Sequence, residues 1–589
     1  MRVQLSIVVH LGSPCVIVLI CDNSGKLLGH GRHMPPDLNC LQSVDGSECS
    51  LVPVCPNASV SPVWLIPVRS YRVLVRTLQS IETPVVVDVI PETVVNMFLK
   101  PLAVCPNFDE GRLQSLQSFR TLHEYQKTSV RFILQRGGRA LNGSEMGTGK
   151  TPTGICFCEY YAHLSPQLIV CPSSLKYNWN VEFQTFAGCD VPIIKNGRGS
   201  FSDRSIISYS LLTSKKIRSK LPRFKVVVLD ESHYIKNLQS KRTKLLLKLC
   251  KQADKVLLLT GTPSSKSSDL FPQLKAIDPT TFVNFFPYQG KHLATSPASL
   301  FFASRYCVPT KIFLGRNRFG FAFNGNDKSW ELYAILSRYM TRRTKADSLM
   351  YLPPKTRIRV VLEKLNASQA RSFQQKLQLI EEVRTMQGGR AADAQLMALV
   401  RETSVLKVKC VLQYVQYILD CGDNDRKYLL FAHHHMMLDA IRELLATKKQ
   451  TFICIDGRTP ADARQSLVDS FQDTRGSIRF AVLSIRAAGT GLNLYTANTV
   501  IFCELLWSEK DHIQAEDRAH RQNQTRPVLV QYLVIAGSTD ELVWRSLSRK
   551  VTTSSALLDN QHLTFQAAYQ RLPPQINKKR LLTEDSVTT

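Results

Sequence analysis

Short, continuous apolar runs alternate with amphipathic stretches of helical length over most of this chain. Between residues 167 and 262 the runs are QLIVCP, FKVVVLD and KVLLLTGT, and from residue 427 they are KYLLFA, TFICIDG, RFAVLSI, NTVIFCELL and VLVQYLVI. Uninterrupted apolar strands are typical of parallel sheets whose two faces are both covered by helices. The pattern therefore predicts an α/β protein with two parallel-sheet domains, and a strongly helical stretch at 366–420 lies between them.

The first hundred residues follow a different pattern. MRVQLSIVVHLGSPCVIVLI predicts two strands that turn at Leu-Gly-Ser-Pro, although an apolar run after Arg2 also leaves a signal peptide open. VWLIPV, YRVLVRTLQSI and PVVVDV then predict a strand, a helix and a strand in a compact unit that ends near Phe98. On pattern alone this unit is either a binding module of its own or a small α+β extension of the next domain.

These patterns divide the chain into six segments. We assign no role to the first segment, and we expect the polar last segment to stay disordered because it has too few apolar residues to form a core. The segments are an N-terminal extension (1–60), a small α+β module (61–110), a first α/β domain (111–350), a helical linker (351–405), a second α/β domain (406–560) and a tail (561–589).

Charge and cysteine content narrow the class of protein. The 589 residues include 75 Lys and Arg against 47 Asp and Glu, which gives a formal net charge of +28. This excess favours a polyanionic partner such as nucleic acid, and a generally basic, soluble surface is the alternative. The 16 cysteines form no C-x-x-C pair, which argues against zinc ribbons and suits a reducing compartment. No apolar run reaches the roughly 18 residues of a membrane span, so we expect no membrane association.

The stretch from Asn142 to Thr151, NGSEMGTGKT, is a candidate phosphate-binding loop. A P-loop has the pattern G-x-x-x-x-G-K-[ST], in which backbone N–H groups surround the phosphates and the lysine reaches the β- and γ-phosphates. Gly149, Lys150 and Thr151 fit this pattern, whereas Ser144 stands at the first glycine position. Lys150 would hold the phosphates and the Thr151 hydroxyl would bind Mg²⁺. The alternative is a Gly/Thr turn with an exposed lysine.

Two strand ends could supply the next parts of an ATPase. VVVLDESHYIKN ends a strand in Asp230 and Glu231, of which one carboxylate can hold the Mg²⁺ shell and the other can orient or deprotonate the attacking water. An acidic loop without catalytic function is the alternative. Thr260, Gly261 and Thr262 end the next apolar run and are candidates for sensing the γ-phosphate, although TGTP is also a plain turn.

A charged helix near the end of the second domain could supply the last part. In QAEDRAHRQNQ, Arg518 and Arg521 are three residues apart and therefore share a helix face. Two arginines presented across a cleft would stabilise the charge that develops on a transferred phosphoryl group. Taken alone, such a run more often forms the solvated face of a charged helix. Earlier in the same domain, His433, His434 and His435 are consecutive on a predicted strand and point to alternate faces, so we expect no metal site there.

Taken together, these stretches resemble the motifs of superfamily 2 helicases, in the same order along the chain. The DESH box, the Q-A-E-D-R-A-H-R ending and MTRRTKADSLMYLPPK (340–355) resemble the Swi/Snf family of DNA translocases. FAHHHMMLDAI and ELLWSEKDHIQAEDR are similar to the HepA-related, SMARCA-like annealing helicases, and the unit at 64–98 resembles their HARP module. The matching stretches are LHEYQ (122–126), EMGTGKT, LDESH, LTGTP, FAHHHMMLDAI (431–441), IDGRT (455–459), SIRAAGTGLNL (484–494) and QAEDRAHRQNQ (514–524).

The resemblance implies a fold and further site residues. It implies two RecA-like lobes with parallel sheets, at 111–350 and 406–560, that bind ATP and Mg²⁺ between them. Gln126 would contact the adenine edge. Ser173, Lys176, Trp179, Arg486 and Trp507 fall near motifs that contact DNA or couple the lobes, although Trp179 and Trp507 fit a hydrophobic core slightly better. The residues that it places at the nucleotide are Gln126, Glu145, Met146, Gly147, Thr148, Gly149, Lys150, Thr151, Gly489 and Gly491.

The sequence departs from the family pattern at two places. Ser144 stands where the family usually has Asp, which removes an anion but no essential ligand, so we expect ATP hydrolysis to survive. Gln522, Asn523 and Gln524 replace the usual Ile-Gly-Gln, and we expect the loss of that glycine to stiffen or shift the loop after Arg521.

We therefore expect a monomeric, ATP-driven translocase on double-stranded DNA. With a HARP-like module in front, the resemblance implies branched DNA as the substrate and strand annealing or fork remodelling as the activity. It also implies the nucleus, and KKIRSK (215–220) and KKR (578–580) are weak basic clusters that fit this location. A single-strand-binding protein or a sliding clamp is a candidate partner, although we recognise no docking motif for either. The alternatives are a nucleosome remodeller, an RNA helicase and an inactive DNA-binding scaffold.

Overall fold

The strands of the protein form three large sheets and one separate hairpin in the part of the chain that the structure describes. The structure is a computed structural model, and each large sheet organises one structural unit. The described residues are 2–10, 13–21, 44, 48–53, 60–80, 86–100, 105–106, 108–264, 266–283, 298–315, 318–348, 352–365, 367–387, 389–421, 426–473, 476–485, 493–559 and 568–571.

The N-terminal unit contains one five-stranded sheet with the strand order β3-β4-β2-β1-β5 and two helices. Its elements are β1 (Arg2–His10), β2 (Ser13–Cys21), β3 (Glu48–Pro53), β4 (Val60–Pro67), α1 (Tyr71–Gln79), β5 (Val86–Asp88) and α2 (Glu92–Leu99). β1 and β2 pair as an antiparallel hairpin, which confirms the two predicted strands. β2 pairs with β4 and β1 pairs with β5, so the boundary drawn at residue 60 lies inside one sheet, because strand pairing joins its two sides.

The first lobe contains a six-stranded parallel sheet with the order β13-β6-β10-β9-β7-β8. Every residue of β7 and β9 is buried, which explains why these runs are apolar without alternation. The elements are α3 (Glu110–Ser115), α4 (Gln117–Arg120), α5 (Glu124–Gln135), β6 (Arg139–Asn142), α6 (Lys150–Tyr160), β7 (Gln167–Cys171), α7 (Lys176–Ala187), β8 (Arg204–Ser208), α8 (Tyr209–Leu212), α9 (Lys215–Arg218), β9 (Val226–Asp230), α10 (Lys241–Gln252), β10 (Lys255–Leu259), α11 (Phe271–Ile277), α12 (Pro279–Val283), α13 (Ala298–Tyr306), the hairpin strands β11 (Val308–Gly315) and β12 (Arg318–Asn324), α14 (Ser329–Tyr339), β13 (Met340–Thr341) and α15 (Lys345–Ser348).

The second lobe contains a seven-stranded parallel sheet with the order β16-β17-β15-β18-β19-β14-β20. The elements are β14 (Lys355–Lys364), α16 (Ala367–Gln387), α17 (Gly389–Asp420), β15 (Tyr428–Ala432), α18 (His435–Thr447), β16 (Phe452–Ile455), α19 (Ala461–Gln472), β17 (Phe480–Ser484), β18 (Thr499–Phe502), α20 (Glu509–Ala519), β19 (Val528–Ala536), α21 (Thr539–Asp559) and β20 (Ala568–Arg571).

Two predicted segments contribute strands to this second sheet. The predicted helical linker begins with β14, which pairs with β19 before the two long helices start. β20 lies in the tail that was predicted to be disordered, and it pairs with β14, while the rest of that tail lies outside the described residues. The disorder prediction is wrong for these four tail residues, because a neighbouring strand satisfies backbone groups that composition alone leaves without partners.

The hydrophobic core of the N-terminal unit continues into the first lobe. Leu74 and Val94 of the unit belong to the same cluster of buried side chains as Leu258 and Ile335 of the lobe. Within the described ranges, no helix is both long and apolar enough to cross a membrane. In the large sheet of each lobe all strands are parallel, so the loops that follow their carboxyl ends meet at one edge, which is where open α/β sheets bind ligands.

Candidate ATP site between the two lobes

The loop between β6 and α6 has the shape of a phosphate cradle. Gly147 and Gly149 have φ angles of +79° and +78°, in the left-handed region that favours glycine. A Cβ atom at Gly149 would lie 2.1 Å from Nε2 of Gln126, so a side chain is excluded there as well. α6 starts at Lys150, directly after this loop. Its N-terminal N–H groups therefore face the space that an anion would fill.

Lys150 is held inside this loop by main-chain oxygens. Its Nζ donates to the carbonyl oxygen of Ser144 at 3.0 Å and to that of Glu145 at 2.9 Å. Burial lowers the pKa of Lys150, while Glu231 and Asp230 act in the opposite direction. The lysine thus lies within electrostatic reach of the predicted acidic pair.

The acidic pair lies at the end of β9, as predicted. Oδ2 of Asp230 accepts a hydrogen bond from Nε1 of Trp179 at 2.8 Å, and Oδ1 accepts one from the Glu231 N–H at 2.9 Å. Burial and the neighbouring Glu231 carboxylate raise the pKa of Asp230. Trp179 is fully buried, so it orients Asp230 from the core and does not offer a surface for DNA. Glu231 has a φ of +50°, a strained conformation for a residue with a side chain.

His233 connects the acidic pair to the Thr-Gly-Thr segment, and the sequence analysis did not assign it a role. Its Nδ1 lies 3.2 Å from Oε2 of Glu231 and 3.2 Å from Oγ1 of Thr260. Oγ1 of Thr260 in turn accepts a hydrogen bond from the Thr262 N–H at 3.2 Å. Although burial opposes ionisation of Glu231, the contact with His233 and the charges of Lys150 and Arg518 lower its pKa.

Gly261 brings the Thr-Gly-Thr segment against the phosphate loop. A Cβ atom at Gly261 would lie 2.4 Å from Cγ of Met146 and 3.3 Å from Nζ of Lys150. Only a glycine allows this approach. The segment therefore lies where a change at the phosphates can be passed on to Thr260 and Thr262.

Arg518 and Arg521 reach this site from the second lobe. Burial and the neighbouring Arg521 lower the pKa of Arg518 to about 10, and Glu231 of the first lobe acts in the opposite direction. A Cβ atom at Gly147 would lie 3.4 Å from Cβ of Arg521, so this arginine packs directly on the phosphate loop. Arg521 also donates a hydrogen bond to Oδ1 of Asn493. The two arginines that the sequence suggested are thus brought together with Glu231 and the loop.

Buried ion pairs hold the helix that carries these arginines. Glu516 is fully buried and accepts hydrogen bonds from Nζ of Lys355 at 2.7 Å and from Nε of Arg357 at 2.7 Å. Asp517 accepts a hydrogen bond from Nζ of Lys345 at 2.7 Å. The sequence analysis missed this function of the acidic residues, because a charged helix gives no sign of which charges become buried.

The segment after β13 connects the same helix to the phosphate loop. Besides its bond to Asp517, Lys345 donates from Nζ to the His520 carbonyl oxygen at 2.6 Å. Its backbone N–H donates to Oε2 of Glu145 at 2.7 Å. The Glu145 N–H donates to the Arg343 carbonyl oxygen at 2.9 Å. One short segment therefore contacts both halves of the site.

The remaining predicted residues are distributed around the site. Oε1 of Gln126 accepts from the His123 N–H at 2.9 Å and its Nε2 donates to the Thr148 carbonyl oxygen at 3.1 Å, so its amide braces the loop. Ser173 is exposed and Lys176 is half-buried at the end of β7. Three predicted residues, Arg486, Gly489 and Gly491, lie outside the described residues.

A basic cleft of about 1200 Å³ opens between the lobes beside this site. Nζ of Lys510 crosses it and donates to the Thr262 carbonyl oxygen at 2.8 Å, and burial lowers the pKa of Lys510 to about 8. Trp507 also lines the cleft, together with the acidic Asp269 and Glu509. The basic lining residues are Lys236, Lys266, Lys510, Arg549 and Lys550. Because basic residues outnumber acidic ones in its lining, the cleft suits a polyanion.

Comparisons with known proteins identify the family. The signature of the SNF2-related domain matches residues 125–414, and that of the helicase conserved C-terminal domain matches residues 407–523. The chain therefore belongs to the SNF2 family. The sites of SNF2 proteins bind ATP, in keeping with the phosphate loop and the facing arginines described above.

The chain is similar to several known proteins. The chain is 34% identical to SWI/SNF-related matrix-associated actin-dependent regulator of chromatin subfamily A-like protein 1 of Xenopus laevis, over 83% of this chain and 50% of that protein. It is 34% identical to DNA annealing helicase and endonuclease ZRANB3 of Bos taurus, over 75% of this chain and 41% of that protein. The Sulfolobus solfataricus SWI2/SNF2 ATPase core in complex with dsDNA aligns with 74% of this chain and 94% of that chain at 24% identity and a TM-score of 0.34. The chain spans about half the length of the first of these curated relatives.

The residues at both departures from the SNF2 pattern make defined local contacts. Oγ of Ser144 accepts a hydrogen bond from the Arg343 N–H at 3.2 Å, and the Ser144 N–H donates to Oδ1 of Asn142 at 3.1 Å, so the serine is buried and bonded. Asn523 occupies the usual glycine position and has a φ of +79°. Asparagine is one of the few residues with a side chain that adopt this conformation readily. Nε2 of Gln522 lies 3.2 Å from Nε2 of His123 and adds a contact between the lobes.

The donor set at the SNF2 site fits a magnesium nucleotide. The loop offers backbone N–H groups, the half-buried Lys150 ammonium and, one residue later, the Thr151 hydroxyl. Asp230 offers a carboxylate whose orientation is fixed by Trp179 and by the Glu231 N–H. Oxygen ligands of this kind are those that Mg²⁺ prefers beside phosphates.

Proposed function

We propose that this protein is a DNA-dependent ATPase that translocates on double-stranded DNA. The observation that carries the proposal is the reach of Arg518 and Arg521 from the second lobe to Glu231 and the phosphate loop of the first. Because the two halves of the site belong to different lobes, hydrolysis is coupled to their relative movement.

Each side chain of the site has a distinct part in hydrolysis. Bound magnesium ATP supplies the phosphoryl group and its charge. Lys150 would exchange its loop carbonyl partners for the phosphates, while Thr151 and Asp230 would hold Mg²⁺. Glu231 orients and deprotonates the attacking water. Arg518 and Arg521 stabilise the charge that develops on the phosphoryl group.

The coupling from ATP to the cleft runs through the Thr-Gly-Thr segment. His233 contacts both Glu231 and Thr260, and Lys510 of the second lobe bonds to the carbonyl oxygen of Thr262. A change at Glu231 therefore reaches the lining of the basic cleft through consecutive contacts. Closure and reopening of the lobes would move this lining along a DNA strand.

DNA binding is expected to depend on phosphate contacts. The chain has a formal net charge of +28, and basic residues outnumber acidic ones in the cleft. Contacts to phosphate carry little sequence information and release counterions, so we expect weak sequence preference and steep salt dependence.

We further propose that the protein is an annealing helicase or fork remodeller that acts on branched DNA in the nucleus. The support is its 34% sequence identity to a protein named as a DNA annealing helicase and to an A-like protein 1, together with the HARP-like stretch at 64–98. Nucleosome sliding and RNA-stimulated hydrolysis are the outcomes that would favour the competing functions.

The first test is ATP hydrolysis without nucleic acid and with single-stranded DNA, plain duplex, a forked junction or duplex RNA, at one fixed salt concentration. We expect the largest stimulation with the fork, and annealing of separated strands as the next assay. Equal stimulation by plain duplex would contradict the preference for branched DNA. No hydrolysis with any of these would contradict the ATPase itself and favour a DNA-binding scaffold.

A further inference from the structure

A buried cluster of charged side chains joins the N-terminal unit to the first lobe. Asp88 at the end of β5 contributes one carboxylate from the N-terminal unit. The lobe contributes its other members from α13, from α14 and from the residue before α14. We call this set the docking cluster, and it consists of Asp88, Arg305, Tyr306, Lys328 and Glu331.

The guanidinium of Arg305 binds both sides of this junction at once. Within the lobe, its Nε and Nη2 donate to the two carboxylate oxygens of Glu331 at 2.6 and 2.7 Å. Towards the N-terminal unit, Nη1 donates to the Val89 carbonyl oxygen at 2.9 Å and Nη2 donates to the Leu5 carbonyl oxygen at 3.2 Å. The planar fork of arginine thus links β1 and the residue after β5 to α13 and α14 of the lobe.

Lys328 makes the second charged contact across the junction. Its Nζ lies 2.5 Å from Oδ2 of Asp88, and only 8% of its side chain is exposed. Its φ is +45°, an unfavourable conformation for lysine that the surrounding contacts maintain. Two cations and two carboxylates therefore balance in a buried place, where separating them would leave uncompensated charge.

Apolar packing surrounds the docking cluster. Val3 and Leu5 of β1 are buried in the same hydrophobic cluster as Leu332 and Ile335 of α14. An interface of this kind, with a continuous apolar core and paired buried charges, resembles the interior of one domain more than a contact between mobile domains.

We infer that the N-terminal unit and the first lobe move as one rigid body, and that the docking cluster fixes their relative orientation. Asp88, Arg305 and Lys328 are accordingly positioning residues. The consequence for activity rests on the proposed function: the N-terminal unit keeps a constant position on the first lobe while the second lobe moves along the DNA. The unit would then work as a fixed arm of the motor.

Single-molecule energy transfer between dyes on exposed positions tests the rigid body in the full chain. Because the chain has 16 cysteines, the dyes are attached through introduced azido residues. The first dye pair reports the distance between the N-terminal unit and the first lobe (Gln79 and Lys251). The second dye pair reports the distance between the N-terminal unit and the second lobe (Gln79 and Lys448). We expect the first pair to give one narrow distribution with no ligand, with duplex DNA, and with duplex and a non-hydrolysable ATP analogue, whereas the second pair shifts. Movement of the first pair between these conditions would overturn the inference.

The variant Asp88→Ala tests the docking cluster without any ligand. It removes the carboxylate of the N-terminal unit and leaves the Arg305–Glu331 pair of the lobe intact. We expect the distribution of the first dye pair to broaden, and an unchanged narrow distribution would overturn the assignment. Glu92→Ala is the matched control, because it breaks an exposed pair with Arg72 in the same unit. It should leave the distribution narrow.

An activity measurement separates positioning from stability. For Asp88→Ala we expect ATP hydrolysis on plain duplex to stay within about twofold of the parent. Strand annealing on a fork should fall by about tenfold or more because the arm is no longer aligned. Parent-like annealing together with a broadened distribution would overturn the positioning role. If the parent itself anneals no strands, the proposed function fails, while the dye measurements still decide the rigid body.

Discussion

The two lobes hold their catalytic side chains with different kinds of contact. In the first lobe, Lys150 bonds to main-chain carbonyl oxygens and Asp230 bonds to the Trp179 indole and a main-chain N–H. In the second lobe, the arginine helix is fixed by buried ion pairs from Glu516 to Lys355 and Arg357 of the neighbouring strand β14.

This difference fits the work that each lobe has to do. A hydrogen bond that involves a charged group contributes about 1.5–3 kcal/mol. Because a phosphate oxygen replaces each carbonyl oxygen that the Lys150 ammonium gives up, this exchange costs little. Breaking a buried ion pair from one side costs about 3–5 kcal/mol, so the arginine helix keeps its position as the lobes move. The first lobe thus offers an adaptable cradle, and the second a rigid group that approaches it.

The largest expected effect lies on the rigid side. Arg518→Ala should lower kcat for ATP hydrolysis by about 10³-fold, because an arginine at the developing phosphoryl charge supplies stabilisation of this size. Steady-state hydrolysis with saturating duplex measures it. Arg526→Ala is the control, since Arg526 is exposed on the following loop and should leave kcat unchanged. If Arg518→Ala has the same kcat as the parent, the proposed difference between the lobes is wrong, because the arginine of the second lobe would then not contribute to hydrolysis.

On the adaptable side, Lys150→Ala should lower kcat by about 10²–10³-fold, because it removes one charged donor from the phosphates. DNA affinity should remain close to that of the parent, since Lys150 faces the loop and not the cleft. Hydrolysis and fluorescence anisotropy with labelled duplex measure the two quantities. Equal turnover in Lys150→Ala and the parent would contradict the assignment of the ATP site.

Loss of one contact should lower the free energy of unfolding more in the second lobe than at the phosphate loop of the first. Glu516→Gln removes the charge that faces Lys355 and Arg357 and should destabilise the second lobe by about 3–5 kcal/mol. Ser144→Ala removes a neutral acceptor from the Arg343 N–H and should cost only about 1 kcal/mol. Urea unfolding followed by hydrogen exchange resolves the lobes. Equal losses in the two variants would show that the kind of contact does not set rigidity.

The smallest effect concerns the loop after the arginines. Asn523→Gly should change unfolding free energy by about 0.5 kcal/mol or less, because both residues tolerate the observed φ of +79°. Asn523→Val should cost about 1–2 kcal/mol, because its branched side chain opposes that conformation. Thermal unfolding and duplex-stimulated hydrolysis measure both variants. A severalfold rise in hydrolysis for Asn523→Gly would show that the asparagine of the parent stiffens the loop after Arg521 and slows the enzyme.

Local sequence pattern predicted most of the strands and the reactive residues of the candidate site. The continuous apolar runs predicted the central strands of both lobes, because a strand buried on both faces leaves no polar positions. The phosphate loop, the acidic pair and the two arginines were predicted because their chemistry needs particular residue types at fixed spacing. In the structure, Lys150 and Arg518 lie within electrostatic reach of Glu231.

Tertiary structure alone decided which charges became anchors and which segments joined. The sequence does not distinguish Glu516 and Asp88 from ordinary surface residues. They form ion pairs because the fold places Arg357 next to Glu516 and Arg305 next to Asp88, from distant segments of the chain. β14 and β20 join the second sheet for a similar reason, since strand pairing depends on a neighbour far away in the chain. The sequence by itself determined the local elements and the reactive groups. The pairings of charges and strands were decided by contacts over long sequence separations, which no local pattern encodes.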